Sequence, residues 1–185
     1  GVEGVDIKKV DVISRCVMPY DDFDSYMALA ENKDFRFIVS NTTEAGITYS
    51  DSDKLSDRPA NTFPGKLTQL LLKRFQLGYG GFVILPCELI DKNGDNLKKC
   101  ILQYADLWEL GAEFKNWIEK ENIFCNTLVD RINTGYPKGE AIELDFDDKM
   151  VNTSEYFHLW VIDGYEKLFD EIPFDKCGLN VILTN

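Results

Sequence analysis

A single histidine, His158, is the whole imidazole supply of this 185-residue chain. That scarcity, with cysteines scattered along the chain, leaves no zinc ligand set and removes most nucleophile and base pairs that need an imidazole beside a thiol or hydroxyl. Positive charge is also short: 20 Lys and Arg stand against 32 Asp and Glu, a net charge of −12. Binding to nucleic acid or to anionic lipid rests on clustered cations, so neither partner is expected. No apolar run approaches the roughly 20 residues of a membrane-spanning helix. The five cysteines, Cys16, Cys87, Cys100, Cys125 and Cys177, are odd in number and form no CxxC pair, the usage expected of free thiols in a cytoplasmic protein. What is present, 44% hydrophobic residues with 12% aromatic, suffices for one well-buried core.

The chain opens on Gly1-Val2-Glu3-Gly4, without methionine, and closes on the strand-type residues Leu179 to Asn185 with no helix behind them. Both ends read as cuts in a longer polypeptide.

Between them the pattern alternates. The β-branched residues of Val5 to Val17 predict a strand. Asp21 and Asp22 supply N-cap oxygens for a helix carrying Phe23, Tyr26, Met27 and Ala30. Phe35 to Ser40 reads as a strand buried on both faces of a parallel sheet, followed by a polar loop from Asn41 to Asn61. Pro64 opens a helix with Leu67, Leu70, Leu71 and Phe75 on one face, stopped by Gly78. Phe82 to Leu85 is the next strand. Leu97, Cys100, Ile101, Tyr104, Ala105 and Trp108 repeat at helical spacing, and Ile123 to Val129 is read as the strand after them. Such alternation builds an α/β fold, a Rossmann-like parallel sheet with helices on both faces. From Gly135 the pattern changes to an acidic stretch, Glu143 to Asp148, then strands over Tyr156–Ile162 and Leu179–Leu183. The division expected is 1–134 for the sheet domain and 135–185 for a β-rich extension of the same sheet.

Ligands of open α/β sheets bind beyond the carboxyl ends of the strands. Three loops qualify: Asn41 to Gly46; Pro86-Cys87-Glu88 through Asn93-Gly94; and Asn126-Thr127 with Asp130-Arg131. Asn41, Thr42 and Thr43 carry groups able to hold a ribose or carboxamide edge, with turn capping as the competing role. Glu44 is a candidate base or a solvated carboxylate. Cys87 lacks an imidazole partner and reads as an ordinary buried thiol, and His158 as a half-buried structural histidine. Gly78-Tyr79-Gly80-Gly81 precedes its strand, whereas a phosphate loop follows one. Asp51, Asp53 and Asp57 fail as a calcium loop, with Ser56 and Thr62 where Gly and Glu are needed. Asp145, Asp147 and Asp148 read as a solvated loop. No metal site is assigned.

Several strings are more specific: Ser40-Asn41-Thr42-Thr43-Glu44-Ala45-Gly46-Ile47, Thr62-Phe63-Pro64-Gly65-Lys66-Leu67-Thr68, Leu85-Pro86-Cys87-Glu88-Leu89-Ile90-Asp91, Asn126-Thr127-Leu128-Val129-Asp130-Arg131-Ile132 and Phe157-His158-Leu159-Trp160-Val161-Ile162. Together they resemble the mannitol dehydrogenase family, from around Ser14 to Asn185. Val129-Asp130-Arg131-Ile132 looks like the signature of the whole family; the Asn-Thr-Thr-Glu-Ala-Gly and Pro-Cys-Glu-Leu-Ile-Asp strings look like its uronate branch.

The resemblance implies a metal-independent enzyme that uses NADH to reduce the keto group of a sugar acid, D-tagaturonate to D-altronate, in hexuronate catabolism. It implies that this chain is the later part of a Rossmann-type NAD-binding domain, lacking the first, Gly-rich βα unit and preceding a helical domain that carries the catalytic Lys, Asn and His. No catalytic residue is therefore assigned within the chain, and the piece alone is expected to be inactive. Asn41, Thr42, Thr43 and Glu44 match a cofactor-binding loop near the nicotinamide ribose. Cys87, Glu88, Asp130 and Arg131 match positions at the substrate or interdomain cleft. Leu89 stands where mannitol dehydrogenases carry a carbonyl-polarising Asn. A non-catalytic nucleotide-binding module and a purely structural α/β domain are the alternatives, and a bared sheet edge would let two copies pair.

Overall fold

The computed structural model describes residue 4, residues 6–137 and residues 148–184. The strand expected over Val5–Val17 is absent: its described residues join no ladder, and Val10, Val12 and Ile13 face solvent. β-branched residues favour a strand only where a neighbour takes up their backbone hydrogen bonds, and no described strand lies beside them.

The first helix, α1 (Phe23–Ala28), starts as expected, with the Asp22 carboxylate accepting the Ser25 N–H at 2.9 Å. Then come β1 (Phe37–Ser40), α2 (Phe63–Gln76), β2 (Val83–Pro86), α3 (Asn93–Leu107), α4 (Gly111–Glu121) and β3 (Ile123–Phe124). The three strands form one parallel sheet in the order β1-β2-β3, so the α/β class expected from the alternation is observed. Alternate residues of a strand face opposite sides. Ile38, Phe82, Ile84 and Phe124 look into a core supplied by α2, α3 and α4. Phe37, Val83, Leu85 and Ile123 look the other way.

Among the described strands only β2 is buried along its whole length. As an edge strand, β1 leaves Val39 58% exposed, where burial on both faces was expected. Helix α4 was not expected, although Phe114, Trp117 and Ile118 fall at i, i+3 and i+4 and are all buried. Because the strand order β1-β2-β3 steps in one direction, right-handed crossovers put α2 and the α3–α4 pair on the same side of the sheet.

The segment expected as one strand, Ile123–Val129, is two. After β3 the chain leaves the parallel sheet at Cys125 and becomes β4 (Asn126–Asp130). The remaining elements are β5 (Asn133–Gly135), β6 (Thr153–Ser154), β7 (Leu159–Asp163), α5 (Leu168–Glu171) and β8 (Val181–Thr184). Strands β4, β7 and β8 form a second sheet, β7 antiparallel to β4 and parallel to β8, while β5 and β6 pair by themselves. The tail thus builds its own sheet rather than extending the first. Its inner row, Trp160, Ile162, Val181 and Leu183, packs with Leu168 and Phe169 of α5 against Val83 and Leu85, covering the face that the long helices leave open. Of the acidic stretch, residues 143–147, with Asp145 and Asp147, lie outside the described residues; the Asp148 carboxylate accepts the Met150 N–H at 2.8 Å.

Two buried charges hold the irregular segments. Asp53 accepts hydrogen bonds from the Asn61 N–H (3.1 Å), the Thr62 N–H (3.1 Å), the Thr62 hydroxyl (2.7 Å) and the Tyr104 hydroxyl (2.9 Å). Burial alone would raise its pKa, but these donors outweigh it and hold the carboxyl below its ordinary range. The aspartate that hinted at a calcium loop is therefore the anchor of the Asn41–Asn61 loop. The buried Arg74 guanidinium donates to the carbonyls of Ala30, Asn32, Lys33, Phe35 and Gly80, clamping the turn that feeds β1.

Candidate functional site

Because β1 and β2 run parallel in the register Ser40 opposite Pro86, their carboxyl ends stop side by side. The Cys87 N–H bonds the Ser40 carbonyl at 2.6 Å and turns the chain across the sheet's end. That turn delivers Glu88, only 2% exposed, beneath the loop after β1. One Glu88 oxygen accepts the Ser40 hydroxyl at 3.0 Å; the other accepts the Thr42 N–H at 3.0 Å and the Thr42 hydroxyl at 2.9 Å. A buried carboxylate is tolerable when its lone pairs are met in this way. Gly46 lets the loop close over it: a Cβ there would lie 1.8 Å from Thr42 Oγ1.

Asn41, Thr42, Thr43 and Glu44 are consequently all exposed on a loop whose base is fixed. Thr42 spends its hydroxyl on Glu88, leaving Asn41, Thr43 and Glu44 as the side chains that face outward. Glu88 itself is buried, with both carboxylate oxygens engaged within the chain. It acts on the rim by holding Thr42.

The second loop converges on a residue that its own sequence context did not single out. Asn93, fully buried at the start of α3, donates from Nδ2 to the carbonyls of Pro86 (2.9 Å), Glu88 (3.0 Å) and Thr127 (2.9 Å). Its Oδ1 accepts the N–H groups of Gly94 and Thr127, both at 2.9 Å. The signal available in the sequence was the Asn-Gly pair at a helix start, which reads equally as a turn. Leu89, between these anchors, is 62% exposed on the rim.

The third expected loop is strand: Asn126, Thr127 and Asp130 all belong to β4. A polar pair such as Asn126-Thr127 reads as a loop in isolation, but here Thr127 sits opposite Ile162 of β7. Asp130 and Arg131 are exposed farther along, where the Arg131 Nε donates to the Glu155 carbonyl at 3.1 Å. Among the described residues no hydrogen bond joins them to Glu88 or to the 41–44 loop. The fold therefore brings together the 41–44 and 86–88 candidates, leaves Asp130 at the end of β4 opposite Leu159 of β7, and ties Arg131 to Glu155 just after β6.

Cys87 is 8% exposed. Burial, with the neighbouring Glu88 charge adding to it against a weak Thr127 hydrogen bond, pushes its thiol up to about 11, so it is no thiolate nucleophile at neutral pH. Burial, again with a carboxylate close by at Asp163, lifts Cys125 to about 11. We expect a neutral-pH thiol reagent to label Cys16 and Cys177, both exposed, rapidly in the native protein, and Cys87, Cys100 and Cys125 only on unfolding. Mass spectrometry of the alkylated protein checks this; prompt labelling of Cys87 would contradict it. His158 has both ring nitrogens engaged, since Nε2 accepts the Asn180 N–H and Nδ1 therefore donates to the Tyr156 carbonyl, each at 3.1 Å. It lies just before β7 and works as a structural link to the segment entering β8. Among the described residues no group of three His, Cys, Asp or Glu side chains is placed to hold a metal.

A sequence model described as the mannitol dehydrogenase Rossmann domain matches residues 1–176. Among curated relatives, the altronate oxidoreductase of Phocaeicola vulgatus is 48% identical over 186 residues, 96% of this chain and 39% of its own. That of Bacteroides thetaiotaomicron is 49% identical over 183 residues, 95% of this chain and 38% of its own. That of Enterobacter sp. strain 638 is 46% identical over 188 residues, 97% of this chain and 39% of its own. This chain thus spans about 39% of the length of such relatives. Among solved structures, the mannitol 2-dehydrogenase of Pseudomonas fluorescens, in a ternary complex with NAD and D-mannitol, superposes with a TM-score of 0.70 at 19% identity, over 94% of this chain and 38% of that one. A substrate-free D-sorbitol dehydrogenase superposes with a TM-score of 0.65 at 21% identity, over 89% of this chain and 36% of that one. At such identities the two structures speak to the fold alone.

Proposed function

Since the chain belongs to the mannitol dehydrogenase family, we propose that it is part of an NAD-dependent reductase that interconverts D-tagaturonate and D-altronate by hydride transfer. The observation that carries this reading is the 46–49% identity to altronate oxidoreductases over 95–97% of the chain. Residues 1–134 would be the later part of the dinucleotide domain, and 135–185 would lead toward a helical domain elsewhere in the polypeptide. The five free thiols agree with a cytoplasmic setting.

The rim fits a nicotinamide ribose in donor chemistry: exposed Asn41 and Thr43 offer amide and hydroxyl groups, and Glu44 offers acceptors for ribose hydroxyls, on a loop braced by the Glu88–Thr42 bonds. When bound, the dinucleotide supplies the hydride. The chain's own part is to orient it and to shape one wall of the substrate cleft with the Cys87–Leu89 segment and, farther out, Asp130 and Arg131. Leu89 presents no polar atom, so polarisation of the substrate carbonyl and the transfer of its proton fall to groups outside these 185 residues.

The test is NADH oxidation with D-tagaturonate and with D-fructuronate. We expect the protein extended to the length of its relatives to reduce D-tagaturonate in preference, and the 185-residue chain alone to reduce neither. Inertness of the extended protein toward both acids, or turnover by the chain alone, would overturn the proposal.

A further inference from the structure

Asn93 performs a task that the rest of the rim leaves open. Its carboxamide takes both backbone groups of one residue, accepting the Thr127 N–H and donating to the Thr127 carbonyl, each at 2.9 Å. The residue opposite in an antiparallel pair presents one donor and one acceptor in the same way, whereas a parallel neighbour would meet the two groups from two residues. The side chain is thus a substitute for a strand residue, inserted between β2 and β4.

The need for it follows from the sequence of β2. Along the edge that β2 turns to β3, the Phe82 carbonyl accepts the Ile123 N–H at 2.9 Å and the Ile84 carbonyl accepts the Cys125 N–H at 3.0 Å. A regular parallel ladder would continue with the N–H of residue 86 to the Cys125 carbonyl, and then the Thr127 N–H to the carbonyl of residue 86. Proline has no N–H, so the ladder stops. The Thr127 N–H goes to Asn93 instead, and the Pro86 carbonyl is met by the Asn93 amide and by the Thr127 hydroxyl. Asn93 also holds the Glu88 carbonyl at 3.0 Å, one peptide from Leu89 on the rim. Its two N–H bonds serve three carbonyls, so one is shared.

We propose that Asn93 is a positioning residue of the site. Its carboxamide keeps β4 a side chain's width from the end of β2 and fixes the mouth between the 86–89 segment and β4, where a substrate would meet the nicotinamide. This rests on the hydride-transfer reading above. Asn93 is fully buried and acts through the backbones it grips.

Two measurements test it. The first needs no activity and no variant: in the isotope-labelled protein, NMR couplings across hydrogen bonds should link the Thr127 nitrogen to the Asn93 side-chain carbonyl carbon. A coupling from Thr127 to the Pro86 carbonyl would show a closed ladder and overturn the proposal. The second uses the extended reductase with Asn93→Ala and with Asn93→Asp, which keeps the shape but removes both N–H donors. We expect kcat per folded enzyme to fall at least about tenfold, with the KM for NADH within about threefold, because misplacement of reacting groups is felt in turnover. A purely structural role would lower the folded fraction and leave kcat per folded enzyme unchanged, which would also overturn it. If the wild-type protein reduces no hexuronate, the functional reading fails, and the coupling still decides whether the carboxamide replaces the ladder.

Discussion

Gly94→Ala is expected to destabilise the fold by at least about 3 kcal/mol, the upper range for forcing extra atoms into a packed interior. A Cβ on Gly94 would lie 2.2 Å from the Cys125 carbonyl oxygen and 2.6 Å from its carbon. Both are backbone atoms at the point where β3 gives way to β4, so no side-chain rotation relieves the clash. Relief requires α3 to retreat from the strand, and that motion pulls on Asn93, the adjacent residue, and on the bonds it makes to Thr127 and Pro86. Total stabilities of single domains are about 5–15 kcal/mol, so a loss of this size leaves a visibly less stable protein. Urea unfolding followed by circular dichroism measures it. Gly80→Ala is the control: nothing lies within 4 Å of a Cβ there, and its φ is not in the left-handed region. A change beyond about 0.5 kcal/mol would be unexpected at Gly80, and equal midpoints for the two variants would refute the argument.

Glu88→Ala should cost about 3 kcal/mol by a different route. The Ser40 hydroxyl, the Thr42 N–H and the Thr42 hydroxyl all spend their hydrogens on this buried carboxylate. Alanine strands them where water enters poorly, and the loss is mainly the price of unmet donors. Glu88→Gln keeps an acceptor for the Thr42 side but places an amide N–H against the Ser40 hydroxyl, so about half the loss is expected. Because the bonds run to the first residues of the 41–44 loop, backbone amide exchange at Thr42 should rise by at least about tenfold in Glu88→Ala. Exchange at Ile84, in the centre of the sheet, should track only the global stability. If Thr42 exchanges no faster than the global change requires, Glu88 does not brace the rim. Under the proposed function, the same variant in the protein extended to the length of its relatives should weaken NADH binding, as a loosened loop must be ordered again by the ligand.

The parts of this architecture that rest on local patterns were readable in advance. The buried run Val83–Leu85, the spacing of Leu67, Leu70, Leu71 and Phe75, and the series from Leu97 to Ala105 each fix an element through periodicity alone. Asp22 marked its helix start because a carboxylate can meet free N–H groups there whatever lies elsewhere in the fold. The 41–44 and 86–88 segments were legible as rim because polar residues follow a buried strand. The family strings drew attention to the same places.

The two misread strands share one cause. Val5–Val17 has the composition of a strand, yet strand formation depends on a partner that composition does not reveal. Ile123–Val129 reads as one continuous strand because nothing in those seven residues says that the ladder beside them ends. The reason lies in Pro86, nearly forty positions earlier, which has no N–H to offer Cys125. Helix α4 was legible in Phe114, Trp117 and Ile118, but its short connection to α3 hid it.

By itself the sequence determined the α/β class, the positions of the principal helices and the buried central strand, and the family to which the chain belongs, because these follow from residue spacing and identity. Tertiary structure alone decided that Glu88 braces the loop after β1, that Asp53 anchors a loop, and that the Asn93 carboxamide meets the backbone of Thr127. Each of those roles draws on a hydrogen-bond partner at least 34 residues away along the chain, Thr42, Tyr104 or Thr127. A polar side chain's function depends on what meets it when water is excluded, and only folding brings those partners within reach.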